Sequence, residues 1–175
     1  MKTRILTERA EMEAIIGRCP YCMVGLTDDQ GRPYVLPMNF AYADGVVYLH
    51  SGPDGSKVRF LNERPWVCLT FSEGHELVWM HEQMACSYSM KARSVMCRGR
   101  ARRLEDPVEK RRALDAVMRH YTEAGCGYSE PAGGRVLGCG GAGGEKARGV
   151  FWLLPFGPCP LGARATLFGE GSGAG

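Results

Sequence analysis

The chain has 175 residues and a formal net charge of +3, from 22 basic and 19 acidic side chains. Apolar residues make up 45% and charged residues 23%, ordinary for a globular domain and against a disordered or fibrous chain. The longest strongly apolar stretch, 149–156, is far short of the roughly 20 residues of a membrane span, and the charge is too mild to imply a nucleic-acid partner.

The first 17 residues mix Lys2, Arg4, Glu8, Arg9, Glu11 and Glu13 through their apolar positions. They do not read as a secretion signal, so the expected location is the cytoplasm. There thiols stay reduced, and the eight cysteines read as buried small hydrophobes or idle surface thiols rather than a disulfide framework.

Residues 7–16 predict a short helix: Thr7 is the expected N-cap, Met12, Ile15 and Ile16 share a face, and Gly17 is the expected stop. Cys22–Thr27 reads as a strand, Asp28-Asp29-Gln30-Gly31 as a turn, and 33–40 as the return strand. There Tyr34, Leu36, Met38 and Phe40 alternate onto one side. Asp44-Gly45 is a hairpin signal before a third strand, Val46–Ser51. A helix follows at 56–62, ended by Pro65, then an apolar strand at 66–71 and a short one at 77–81. Residues 95–104 predict a long strand with Ser94, Met96, Arg98, Arg100 and Arg102 on one face and Val95, Cys97, Gly99 and Ala101 on the other. Asp106-Pro107-Val108-Glu109 opens a final helix, with Leu114, Val117, Met118 and Tyr121 as its apolar stripe. Five or six strands with few helices imply a small β-barrel with peripheral helices.

The tail is different. Fourteen of the 24 glycines and only six charges fall between Pro131 and Gly175. Residues 138–144 read as flexible linker, 149–156 as one strand, and 169–175 as disordered.

Three motifs have competing readings. Cys19-Pro20-Tyr21-Cys22 has redox-pair spacing, but that chemistry needs a strand before the motif and a helix after it. Here the order is reversed, so a thiol-disulfide protein using Cys19 and Cys22 ranks behind the other readings. One Cys-x-x-Cys supplies half of a zinc site, and no matching second pair exists, so no metal is expected. Nine of the 22 basic residues lie between Lys91 and Arg112; with Tyr88 as the one nearby aromatic, they read as a solvated face rather than a nucleic-acid track.

His50-Ser51 ends a strand, and Gly55-Ser56-Lys57 opens the next helix. A helix N-terminus presents amides and positive potential, while the serines and Lys57 add hydroxyls and an ammonium. The loop is a credible phosphate cradle.

The order of motifs resembles the flavin-nucleotide-binding split-barrel family, which includes pyridoxamine-phosphate oxidases and the nitroimidazole-resistance (Nim) proteins. The resemblance rests on Val24-Gly25-Leu26, Gly31-Arg32-Pro33-Tyr34-Val35-Leu36-Pro37-Met38-Asn39-Phe40 and Asp44-Gly45 with Val47-Tyr48-Leu49-His50-Ser51. It continues through Gly55-Ser56-Lys57, Pro65-Trp66-Val67-Cys68, Ser94-Val95 and Gly99-Arg100-Ala101. Pro-Met-Asn-Phe, Tyr-Leu-His-Ser and the segment from Cys86-Ser87 to Ser94-Val95 point to the Nim branch.

The resemblance implies a six-stranded FMN-binding split β-barrel over residues 1–125 that forms a homodimer, with the cofactor between subunits. Residues 126–175 form a divergent glycine-rich end. It further implies that Val35, Leu36, Pro37, Met38 and Asn39 lie along the flavin ring and that His50, Ser51, Ser56 and Lys57 hold the ribityl phosphate. Ser94 would face the flavin, and His50 would sit beside the cofactor as the candidate proton donor. FAD, with the same phosphate and ring, is the alternative cofactor. The implied activity is an FMN-dependent oxidoreductase passing electrons from a reduced nicotinamide donor to a small-molecule acceptor such as a nitroaromatic. A flavin or haem binding protein without turnover is the alternative. Two departures stand out. The pyridoxamine-phosphate oxidases have an Arg-Lys pair where this chain has Ser56-Lys57, and their C-terminal Arg and His motif is not evident. The sequence leaves open whether the glycine-rich tail completes the barrel.

Overall fold

A computed structural model of the chain describes residues 3–122, 150–155 and 164–168. Among them are ten strands: β1 (Thr3–Leu6), β2 (Cys22–Thr27), β3 (Pro33–Met38), β4 (Phe40–Ala43), β5 (Val46–Ser51), β6 (Trp66–Val78), β7 (Ser89–Arg100), β8 (Arg102–Arg103), β9 (Val150–Pro155) and β10 (Arg164–Phe168). Three helices join them: α1 (Arg9–Arg18), α2 (Ser56–Glu63) and α3 (Pro107–Tyr121). The fold is mainly β with three helices.

The strands form two antiparallel sheets. One has six strands in the order β1-β10-β7-β6-β2-β3, and the other has four in the order β4-β5-β9-β8. The ten described strands exceed the six expected: β1, β9 and β10 add three, two changes of sheet split two expected strands, and the expected strands at 66–71 and 77–81 are one, β6. The expected 33–40 strand breaks at Asn39 into β3 and β4, which belong to different sheets. The expected 95–104 strand breaks at Ala101, whose N–H donates to the Pro65 carbonyl at 2.7 Å, and β8 then joins the second sheet.

Alternation builds the core between the sheets. Val24, Leu69, Phe71 and Val95 point inward from the first sheet, and Phe40, Val47 and Leu49 from the second. Met12, Ile15 and Ile16 of α1 and Val58, Phe60 and Leu61 of α2 complete this core. Phe40 meets Phe71 edge-on, with ring centroids 4.8 Å apart. α3 packs on β4 through Ala116 and Val117 against Ala41. Its buried positions are Ala113, Ala116 and Val117, one step around from the expected stripe.

Local chemistry explains the ends. Asp106 caps α3 as expected, its carboxylate accepting from the Val108 N–H at 3.0 Å. α1 instead starts after Glu8, with no side-chain cap, and runs through Gly17 to Arg18. Its Arg18 guanidinium holds Glu73 with two bonds of 2.8 and 2.6 Å, tying the helix to β6. The β2–β3 turn is clamped: Asp28 accepts from the Gln30 and Arg32 N–H groups and the Arg32 side chain, while Arg64 donates to the Asp28 and Asp29 carbonyls.

The tail contributes β9 where the sequence reads one strand, and β10 in addition. β9 lies between β5 and β8, and β10 between β1 and β7. The segments expected as linker and disorder, 138–144 and 169–175, lie outside the described residues.

Candidate functional site

α2 begins after Gly55, whose φ of +110° favours a residue without a side chain. No side chain caps this helix. The Val58 and Arg59 N–H groups both bond the Gly55 carbonyl, at 3.1 and 3.2 Å, so the Ser56 and Lys57 amides precede the helical ladder. The helix start thus presents uncapped amides with an ammonium beside them.

β5 delivers His50 and Ser51 to the same end of the molecule. Alternation turns them to opposite faces. His50 is half-buried, and burial, with Lys57 second, pushes its pKa down. It is therefore a neutral imidazole at pH 7, and Lys57 is a charge close enough for it to feel. Ser51 faces inward, and its buried hydroxyl has no hydrogen-bond partner among the described residues. Such an orphan costs about 1–3 kcal/mol.

β3 brings the third component. It ends the six-stranded sheet, so its outer edge has no strand partner among the described residues, and it lies in contact with β5. Val35, Pro37 and Asn39 face solvent, Val35 at 60% exposure, while Leu36 packs on the core and Met38 is buried within it. Of the five expected ring-contact residues, three offer side chains and two offer backbone only.

β3, His50, Ser51, Ser56 and Lys57 thus gather at one end. Ser94 does not join them. It lies on β7 opposite Ser72 of β6, and β6 and β2 separate β7 from β3, about 14 Å at normal strand spacing.

The cysteine pair has another environment. Cys19 caps the C-terminus of α1, where the helix dipole disfavours a thiolate. Both thiols are buried, and burial pushes both pKa values up, that of Cys22 to about 12. The Cys22 thiol donates weakly to the Met38 carbonyl at 3.7 Å. Neither is poised as a nucleophile. Much of the basic run is paired: Arg102 with Glu109, Arg93 with Glu73, Lys91 with Glu76 and Arg111 with Asp115. Among the described residues no three His, Cys, Asp or Glu side chains gather as a metal site, and no helix is long and apolar enough to cross a membrane.

Residues 8–132 match the pyridoxamine 5'-phosphate oxidase family. The chain belongs to this family. The matched span holds β2 to β7, and so every candidate site residue.

Within the family the chain lies near the nitroimidazole-resistance branch. It is 40% identical to a candidate 5-nitroimidazole antibiotic resistance protein from Bacteroides thetaiotaomicron. That match covers 94% of this chain and 87% of the other, with a TM-score of 0.71. Two more distant structures share the fold. The flavocytochrome Anf3 from Azotobacter vinelandii is 21% identical over 97% of this chain and 70% of its own, with a TM-score of 0.73. An FAD and haem binding protein from Mycobacterium smegmatis is 20% identical over 98% and 75%, with a TM-score of 0.74. No curated protein matches the chain.

Two features of the surface escape a reading of the sequence. Tyr121, read as core, reaches the Phe40 backbone where the chain changes sheet. The apolar residues 77–90 stand exposed at the far end of β6 and β7. A single run of letters carries no signal for either, because each depends on how distant strands register.

Proposed function

We propose that the protein is an FMN-dependent oxidoreductase of the nitroimidazole-resistance type, working as a homodimer and reducing small nitroaromatic acceptors with electrons from a reduced nicotinamide. The observation that carries this reading is the meeting of three things. They are the open β3 strand, the uncapped start of α2 with Lys57, and the end of β5 with its orphaned Ser51 hydroxyl. The donor set suits a phosphate on a planar, partly apolar group: two backbone amides, an ammonium and hydroxyls for the anion, and a strand edge with Val35 and Pro37 for the ring.

When bound, the flavin supplies the two-electron redox chemistry. This chain's residues bind and orient it. Lys57 and the Ser56 and Lys57 amides hold the phosphate, and the β3 edge aligns the ring through backbone N–H and C=O groups, with Pro37 offering no N–H. His50 regulates a proton. Burial is the first cause of its lowered pKa and Lys57 the second; an anion beside Lys57 would offset the second and raise the imidazole pKa in part. Binding of the phosphate thus readies His50 to hold a proton for the acceptor.

The FAD and haem named for the Mycobacterium smegmatis structure favour a second reading, a flavin or haem carrier without turnover. One experiment separates the two. The visible spectrum of the purified protein, with the released chromophore identified by mass, reports the cofactor. Steady-state turnover with a reduced nicotinamide and a nitro compound then reports catalysis. A flavin-loaded protein with no turnover would favour the carrier; a protein that cannot be loaded would defeat both.

A further inference from the structure

Alternation on the six-stranded sheet turns Val24, Leu69 and Cys97 into the core and their neighbours outward. One outward row crosses four strands. Val35 of β3 pairs with Gly25 of β2, Gly25 with Cys68 of β6, and Cys68 with Arg98 of β7. Gly25 has no side chain, so the row is a trough leading from Val35 toward Arg98. A Cβ at Gly25 would stand 3.3 Å from the Cys68 carbonyl oxygen, so the floor there is backbone. At three strand spacings the trough is about 14 Å long.

The far end of the trough is cationic and aromatic. Arg98 and Arg100 both face outward, about 7 Å apart along β7. Other cations of this region have carboxylates: Lys91 has Glu76, Arg93 has Glu73 and Arg102 has Glu109. Among the described residues Arg98 has only the Met96 sulfur at 3.5 Å, a weak and neutral acceptor. Arg100 has no hydrogen bond or ion pair among the described residues. Trp66 pairs with Arg100 across the ladder and stands 68% exposed, with no ring contact among the described residues. No acidic residue lies within 66–70 of β6 or 96–100 of β7. Two like charges this close repel each other, and an anion set between them relieves the repulsion.

The combination selects a ligand class. Guanidiniums fork onto phosphate oxygens, and two of them suit a diphosphate. An exposed indole face stacks a nucleobase. Base and diphosphate together are the adenosine diphosphate arm of a dinucleotide. The flavin itself is a poor source. Its phosphate is assigned to the start of α2, and β2 and β6 stand between the ring floor on β3 and the guanidiniums on β7. A separate dinucleotide fits, because it can set its nicotinamide at the Val35 end, against the ring, and run along the trough to Arg98.

We propose that Trp66, Arg98 and Arg100 bind the adenosine diphosphate arm of the reduced nicotinamide donor, with the base on the indole and the diphosphate on the two guanidiniums. This rests on the flavin reading above and gives the donor a subsite of its own.

The test uses ADP as the probe and the full-length protein as purified. Calorimetry should show ADP binding to the wild type, and ADP should compete with the reduced dinucleotide in turnover. R98Q combined with R100Q should weaken ADP binding by about tenfold or more and flatten its salt dependence. KM for the dinucleotide should rise by a similar factor. Flavin content should stay at the wild-type level, since neither residue belongs to the phosphate cradle. W66A should weaken ADP binding by about tenfold with its salt dependence kept, because stacking removes no charge. All three side chains are exposed, so the circular dichroism spectra should match the wild type. No ADP binding by the wild type, or unchanged binding by the double variant, would overturn the proposal. So would a double variant that loses affinity for FAD but not for FMN and keeps the wild-type KM, since the patch would then hold a cofactor's adenylate. Failure of the flavin reading looks different: protein that takes up no flavin yet binds ADP through Arg98 and Arg100 keeps the nucleotide subsite and loses the flavin.

Discussion

The Phe40 backbone N–H donates to the Tyr121 hydroxyl at 3.0 Å, joining the first residue after the Asn39 break to the last turn of α3. Phe40 is buried, so this amide has no water to replace the bond. Tyr121→Phe leaves a buried donor unpaired and should cost about 1–3 kcal/mol in urea unfolding. The loss lies one residue from Asn39, so flavin affinity should fall with stability. A variant within a few tenths of a kcal/mol of wild type would show that the corner is held by packing alone.

Lys57 acts on two readouts at once. Its ammonium is the second cause, after burial, of the lowered His50 pKa. Lys57→Ala should therefore raise the His50 pKa in the flavin-free protein, followed by NMR titration of the imidazole. The same change should weaken flavin binding and flatten its salt dependence, because a charge partner of the phosphate is gone. A raised pKa with unchanged affinity would leave Lys57 next to His50 but outside the cradle.

His50 also makes stability depend on pH. Its folded pKa lies below the unfolded value of about 6.5. As pH falls through 6.5 the unfolded chain takes up the proton first, so the folded state loses stability from there down to the folded pKa, and none above it. Urea unfolding at pH 7.5 and 5.5 should show a smaller acid loss for His50→Gln than for the wild type. Equal losses would mean that other groups carry the acid sensitivity.

The thiols should sort by burial. Cys19, Cys22 and Cys97 are buried and Cys86 is exposed. A thiol reagent under native conditions should label Cys86 rapidly and the Cys19–Cys22 pair only at the rate of unfolding. Replacing both of the pair by Ser should lower stability, since two hydroxyls enter apolar sites, while the flavin content of the folded fraction stays the same. Fast labelling of Cys22 would contradict its pKa of about 12.

How much of this was legible depends on whether the signal was local. β2, β5, α2 and the Asp106 cap are read correctly because alternation, hairpin glycine and capping chemistry act within a few residues. His50, Ser51, Ser56 and Lys57 come together because they sit at the facing ends of consecutive elements, β5 and α2. The sheet changes at Asn39 and Ala101 were not legible, since Phe40 and Ala101 continue the period of the strands before them and differ only in which strand they pair with. Ser94 stands apart from β3 for a related reason: its outward face is readable, but its separation from β3 depends on strand order. Gly17 reads as a stop, yet α1 runs on, held by the Arg18–Glu73 pair that the sequence separates by 55 positions.

The tail is the sharpest case, because its composition and its pairing disagree. The family match ends at residue 132, before β9 and β10, and glycine-rich composition argues for linker. Yet β9 pairs along all of β5, with Phe151 opposite His50 and Val150 opposite Ser51. Among the described residues β1 pairs only with β10, and β8 only with β9. Truncation after Ala147 removes both inserted strands. It strips β1 and β8 of their partners, opens the β5 and β7 edges, and withdraws the strand beside the phosphate loop. Exposed edges of this length pair between molecules, so the truncated chain should aggregate and lose its cooperative thermal transition. No flavin should then be retained, because His50 and Ser51 would stand on an unsupported strand end. A soluble truncated chain with cooperative unfolding and full flavin content would show instead that β2, β3, β6 and β7 suffice and that the last two strands only cover them.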